Sequence, residues 1–105
     1  MRFRLSHQAF ADIEEIRAFT VERWGREQWV RYFKGLSSSF ERIASDPSCG
    51  RSRHQLRARL RSLPYGKHLI FFELPAEPGG RVVIYRIVHE RRNFAALSYR
   101  DELDS

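Results

Sequence analysis

Apolar residues recur at steps of three and four along two stretches, and the period then drops to two in the second half of the chain. The first stretch carries Ala9, Ile13, Ile16 and Thr20, with Phe10 and Phe19 widening the face, and Ser6 stands just before it as a helix N-cap. It stops at Trp24-Gly25, because glycine accepts the left-handed backbone that closes a helix. The second stretch carries Trp29, Tyr32, Phe33, Leu36, Phe40 and Ile43 and ends at Asp46-Pro47. Gly35 lies within it at a cost of about 1 kcal/mol relative to alanine, which the apolar stripe overrides. Two helices joined by so short a turn must fold back as an antiparallel hairpin with one apolar side.

Strand patterning surrounds this hairpin. Phe3 to Leu5 reads as a short strand, Ser48 to Arg59 as a polar and basic loop with a turn at Cys49-Gly50, and Leu60 to Tyr65 as a strand closed by Tyr65-Gly66. Lys67 to Leu74 and Arg81 to His89 are the two strongest strands, and Pro75 to Gly80 joins them as a hairpin loop. The order is β-α-α-β-β-β, an α+β fold with a helical hairpin on one face of a mostly antiparallel sheet, in a single domain over residues 1–105. The other sheet face is expected to be half open and available for binding.

Charge is concentrated in one place. The net charge is +6, and the segment from Arg51 to Lys67 holds Arg51, Arg53, Arg57, Arg59, Arg61 and Lys67 with no acid, so it contains the whole excess. Guanidinium groups pair bidentately with carboxylate or phosphate, so this block points to an anionic partner. The longest apolar runs, Leu69 to Phe72 and Val82 to Tyr85, are far short of the ~20 residues that span a bilayer. Met1 to Ser6 has no apolar core of a signal peptide, and Cys49 is the one cysteine, so a cytoplasmic location without disulfides or membrane contact is expected. His54, His68 and His89 lack ligand-like spacing, and neither metal nor cofactor is expected.

The ordered set of these pieces resembles the RelE/ParE superfamily of bacterial toxins, and its ParE branch in particular. The pieces are Leu5-Ser6 with Ala9, Asp12, Ile13 and Ile16; the Trp24-Gly25 turn; Tyr32 and Leu36; Pro47, Gly50 and Arg51; Leu60-Arg61; His68 to Phe72; and Val83 to His89. The resemblance spans nearly the whole chain. It implies a toxin of a type II toxin-antitoxin system, held inactive by a ParD-like antitoxin whose C-terminal segment wraps over the hairpin and the sheet. It also implies that the free toxin inhibits DNA gyrase by corrupting its DNA cleavage cycle, whereas RelE-type relatives cut mRNA on the ribosome.

Chemistry bears on that choice of branch. A metal-independent endoribonuclease needs an acid-base pair and cations around the phosphate. Where RelE uses lysines this chain has Arg57 and Arg59, poor proton carriers though good phosphate clamps, and the position of the RelE tyrosine falls near Leu97, with Tyr99 two residues on. The lack of a convincing acid-base set thus favours the non-catalytic gyrase inhibitor that the ParE resemblance implies. The alternative is a ribosome-dependent ribonuclease using His89, Tyr99 and Arg86, and a third reading is an inactive module that only titrates an antitoxin. As target contacts the resemblance and position suggest Arg86, His89, Arg91, Arg92 and Phe94. Arg86 lies inside an apolar strand, where it must pair with a carboxylate such as Glu73 or Glu90 or face a groove on the open sheet face. For the antitoxin, Trp24 and Trp29 are candidate anchors, packing being the alternative, and Arg51, Arg53, Arg57, Arg59 and Arg61 are expected to attract an acidic amphipathic segment.

Overall fold

The computed structural model describes residues 2–91. Strand β1 (Phe3–Leu5) leads into helix α1 (His7–Trp24) and helix α2 (Arg26–Ser45); a single 3-10 turn at Pro47–Cys49 precedes β2 (Arg51–Ser52), β3 (Leu60–Tyr65), β4 (His68–Glu73) and β5 (Val82–His89). The five strands form one sheet in the order β1-β5-β4-β3-β2. All neighbours are antiparallel except β1 and β5, which run parallel with Phe3 opposite Val82 and Leu5 opposite Ile84. A parallel pair needs a long crossover, and the helical hairpin and strands β2 to β4 all lie within it. The α+β expectation holds, with one addition: the basic loop contributes β2, a two-residue edge strand that pairs with Arg61 and Ser62.

Helix boundaries follow local chemistry. The Ser6 hydroxyl accepts from the Ala9 amide at 3.0 Å and donates to the Tyr85 carbonyl at 2.6 Å, so the residue that caps α1 also ties it to β5. Gly25, at φ 92°, ends α1 and begins α2 in one residue. Between the hairpin and the sheet lies the main core: Phe3, Ala9, Ile13, Leu36, Phe40 and Ile43 meet Leu63, Ile70, Phe72, Val82, Ile84 and Ile87.

The expectation of an open second sheet face is overturned. That face carries its own buried cluster, Leu60, Phe71, Tyr85 and Val88, with Leu56 and Leu69 packed against it. Two features produce it. The segment after β2 folds back so that Leu56 joins the cluster and the Arg57 guanidinium lies 6.0 Å from the centre of the Tyr85 ring. A β-bulge pairs Ile84 with Phe72 but Arg86 with Phe71, making Tyr85 the extra residue of β5. Residues 84–88 are consequently all buried, and simple alternation is lost.

Candidate functional site

Only the first half of α1 is seated on the sheet, for its buried residues are Ala9, Asp12 and Ile13. Beyond them the helix overhangs, leaving Phe19 59% and Trp24 69% exposed. Beneath the overhang runs a groove of about 500 Å³. One wall is the flank of α1, with Glu15, Ile16, Phe19, Thr20 and Trp24; the other is formed by Gln28 and Tyr32 of α2 together with Lys67, His68 and the end of β5 at Ile87 to His89. Arg23 lies over the Phe19 ring, with its guanidinium carbon 5.2 Å from the ring centre.

The inner end of the groove is fixed by a buried ion pair. Asp12 Oδ2 accepts from Arg86 Nε at 2.9 Å, Oδ1 accepts from a second guanidinium N–H at 3.2 Å, and Oδ2 also accepts from the Ile87 amide at 2.9 Å. Both side chains are 7% exposed. A bidentate carboxylate that also takes a backbone N–H meets the requirement for burying two charges. It clamps α1 to β5 at the point where the helix leaves the sheet.

Next to this clamp, Tyr32, Tyr65, His68 and His89 connect α2 to β3, β4 and β5. The Tyr65 hydroxyl donates to the Tyr32 carbonyl at 3.2 Å, while the Tyr32 hydroxyl lies 3.2 Å from the Tyr65 carbonyl and 2.6 Å from His68 Nδ1. The Lys67 backbone favours the ionised form of the Tyr32 phenol, but burial outweighs it. Burial pushes the Tyr32 phenol up to about 12, so it stays protonated at neutral pH and cannot serve as a phenolate base. His68 is held below the ordinary imidazole range, first by burial and then by His89, with Asp12 and Glu90 opposing. His89 Nδ1 accepts from the Arg91 amide at 3.1 Å, which places the proton of the neutral ring on Nε2.

Two glycines make this arrangement possible. A Cβ on Gly35 would fall 1.8 Å from the Tyr65 hydroxyl oxygen, so the glycine in the middle of α2 is the notch that admits that ring. Gly66, at φ 57°, turns the chain between β3 and β4, and its Cβ would lie 2.6 Å from the Tyr32 oxygen.

The sequence-predicted residues are distributed differently from expectation. Arg86 pairs with neither Glu73 nor Glu90 and is not presented on an open sheet face; it is buried against Asp12. Glu73 instead meets Arg57 at 2.7 Å and Arg59 at 3.8 Å. The arginine block is largely an internal clamp: Arg53 Nε donates to Ser62 Oγ at 2.8 Å, Arg59 Nε to the Leu74 carbonyl at 3.3 Å, and Arg61 to the Gly50 and Ser48 carbonyls. Arg51 is exposed in β2. These carboxylates and carbonyls lie elsewhere in the sequence, which is why the block looked free. Trp24 lines the groove, whereas Trp29 packs against the core and the Phe33 ring at 5.3 Å. His89 and Arg91 are exposed at the end of β5, and Arg92, Phe94 and Tyr99 lie outside the described residues. Asp12 and Tyr32 were not singled out as site residues; Lys67 entered only as the end of the basic block and His68 only as one of the three histidines weighed together. Asp12 carried a signal of its own, as a carboxylate on the apolar face between Ala9, Ile13 and Ile16.

Among the described residues no three His, Cys, Asp or Glu side chains gather closely enough to hold a metal ion, and no helix is long and apolar enough to cross a membrane. The fold resembles a chain of the solved "Chromosomal ParDE TA system from P. aeruginosa", with a TM-score of 0.68 at 19% identity over 85% of this chain and 95% of that one. In sequence the chain is 36% identical over 94 residues to Toxin ParE1 of Caulobacter vibrioides, covering 90% of this chain and 94% of the relative. It is 34% identical over 90 residues to Toxin ParE1 of Mycobacterium tuberculosis, covering 86% and 90%. Residues 3–94 match the family described as the ParE toxin of the type II toxin-antitoxin system parDE. With that match across most of its length, the chain belongs to the ParE toxin family.

Proposed function

We propose that a ParD-type antitoxin neutralises this toxin by seating apolar side chains in the groove beneath the α1 overhang, and that the free toxin inhibits DNA gyrase in the cytoplasm. The observation that carries the first part is the groove itself, in which Phe19 and Trp24 stand largely exposed on one wall. Covering them returns about 25 cal/mol for each Å² of apolar surface withdrawn from water, and a tryptophan at the mouth of a pocket is a favoured anchor. Lys67, Arg23 and the chain's net charge of +6 favour an acidic partner. For gyrase, family membership supplies the direction, and the exposed end of β5 with His89 and Arg91, continuing to Arg92 and Phe94, is the candidate contact.

Trp24→Ser tests the groove. Because the side chain is 69% exposed, the substitution leaves folding intact and is expected to weaken antitoxin binding at least tenfold; unchanged affinity would move the antitoxin elsewhere. Purified toxin is expected to stop gyrase supercoiling with accumulation of cleaved DNA, and activity unaffected at large excess would sink the gyrase reading. Early arrest of translation rather than DNA synthesis after induction would assign the ribonuclease alternative. That alternative would require Arg86 to leave Asp12 in order to reach a phosphate, which weighs against it.

A further inference from the structure

His68 and His89 stand directly opposite one another on β4 and β5, with ring centroids 5.5 Å apart and planes at 78°. Both line the groove. Each ring already has its Nδ1 engaged, His68 on the Tyr32 hydroxyl and His89 on the Arg91 amide. The bond to Arg91 requires an unprotonated Nδ1, so His89 must give it up to become an imidazolium. The bond to Tyr32 survives protonation only by reversing: His68 Nδ1 would then donate, and the phenol would turn its own proton to the Tyr65 carbonyl at 3.2 Å.

The groups facing the pair do little to favour two positive charges. From α1 come Glu15, which is exposed, and Asp12, whose carboxylate is taken up by Arg86 and the Ile87 amide. From α2 comes Tyr32, a phenol that burial keeps protonated at neutral pH, and from β3 the ring of Tyr65 that packs on it. The β3–β4 turn adds the cation of Lys67, and the end of β5 adds Glu90 and Arg91, both exposed. An apolar side chain laid over the groove would remove water from both rings, and desolvation always disfavours the charged form.

Resting on the reading that the groove receives the antitoxin, we propose that the His68–His89 pair makes occupancy of the groove proton-linked, so that the peptide binds over the neutral rings and is released as they become charged. The lowered position of His68 in the free toxin has the same physical origin, burial and its neighbour His89, and a covering peptide extends it. If occupancy lowers one ring by about one pH unit, affinity falls about tenfold on acidification through that interval.

The test is calorimetric titration of the full-length toxin with a purified ParD-type antitoxin at pH 5.5, 6.5 and 7.5, in two buffers of different ionisation enthalpy, with circular dichroism confirming the fold at each pH. Proton release at pH 5.5 to 6.5 that vanishes at pH 7.5, with binding about tenfold tighter at the higher pH, is expected. His68→Asn and His89→Asn keep an oxygen near each Nδ1 position and should flatten both dependences. If His68→Asn does not fold, His89→Asn carries the comparison alone. Proton release that persists unchanged in the folded variants, or no buffer dependence in the parent toxin, overturns the linkage. Trp24→Ser separates the two ideas. If it weakens binding at pH 7.5 while the parent shows no proton release, only the linkage falls; if it leaves affinity unchanged, the groove reading falls and the linkage with it.

Discussion

Asp12→Ala removes the carboxylate reached by two N–H groups of Arg86 and by the Ile87 amide, at contacts of 2.9, 3.2 and 2.9 Å. Both partners are 7% exposed, so water cannot substitute for the lost acceptor without entering the seam between α1 and β5. Breaking a buried pair of this kind costs about 3–5 kcal/mol. For a domain near 100 residues each 1 kcal/mol moves the melting temperature by about 4–8 °C, so even the lower cost gives a fall of roughly 12–24 °C. Arg86→Met is expected to cost a similar amount. The double variant Asp12→Ala/Arg86→Met removes both charges and should recover at least about 2 kcal/mol relative to the sum of the two single losses. It keeps the cost of the stranded Ile87 amide, about 1–3 kcal/mol. Urea denaturation followed by tryptophan fluorescence and far-ultraviolet circular dichroism measures all three. A loss below about 1 kcal/mol for Asp12→Ala, or strict additivity in the double variant, would refute the assignment of this pair as the clamp that seats α1.

Gly35→Ala should destabilise the protein by about 1–3 kcal/mol despite the better helix propensity of alanine, because the new Cβ would meet the Tyr65 hydroxyl oxygen at 1.8 Å and displace the ring; a gain in the denaturation midpoint would contradict this packing. His68 gives the toxin a pH dependence of its own. Its folded-state pKa lies below the ordinary value, so the unfolded chain takes up the proton first, and the stability it contributes is complete above about pH 6.5 and is lost as pH falls through the folded pKa. Unfolding free energies measured from pH 5 to 8 should show that decline, and His68→Asn should reduce it; an identical slope in the variant would place the sensitivity elsewhere.

The parts of the fold legible in the sequence were those with local causes. Ser6, Gly25 and Asp46 mark the helix ends through their own backbone and side-chain chemistry, and the apolar steps along α2 named Leu36, Phe40 and Ile43, all of them buried. The second half of α1 was misleading because Thr20 continues the same periodicity while only half-buried at the wall of a groove, and Ile16, though it packs against the core, also lines that groove. Interactions over long separations escaped. Arg86 finds Asp12 74 residues away and the Tyr32 hydroxyl meets His68 36 residues away, and no local pattern encodes either choice. The bulge at Tyr85 hid the second cluster, since one added residue changes which side chains of β5 share a face. For the groove, the sequence offered Trp24; the titratable residues at its inner end came together only through the sheet register and the docking of both helices on the sheet.

The parallel pairing of β1 with β5 has a consequence for synthesis. Residues 3–5 find their partners at 82–84, and the Ser6 hydroxyl and Asp12 reach Tyr85, Arg86 and Ile87. A nascent chain emerging from the ribosome N-terminus first can lay α2 on β3 and β4, but α1 lacks its strand until the last described one, β5, appears. Such non-local closure is slow compared with helix formation. A chain terminated anywhere before residue 82 would lack the β5 seat of α1, so the wall of the groove forms at one late moment, and products stopped before that residue are expected to be unable to present it.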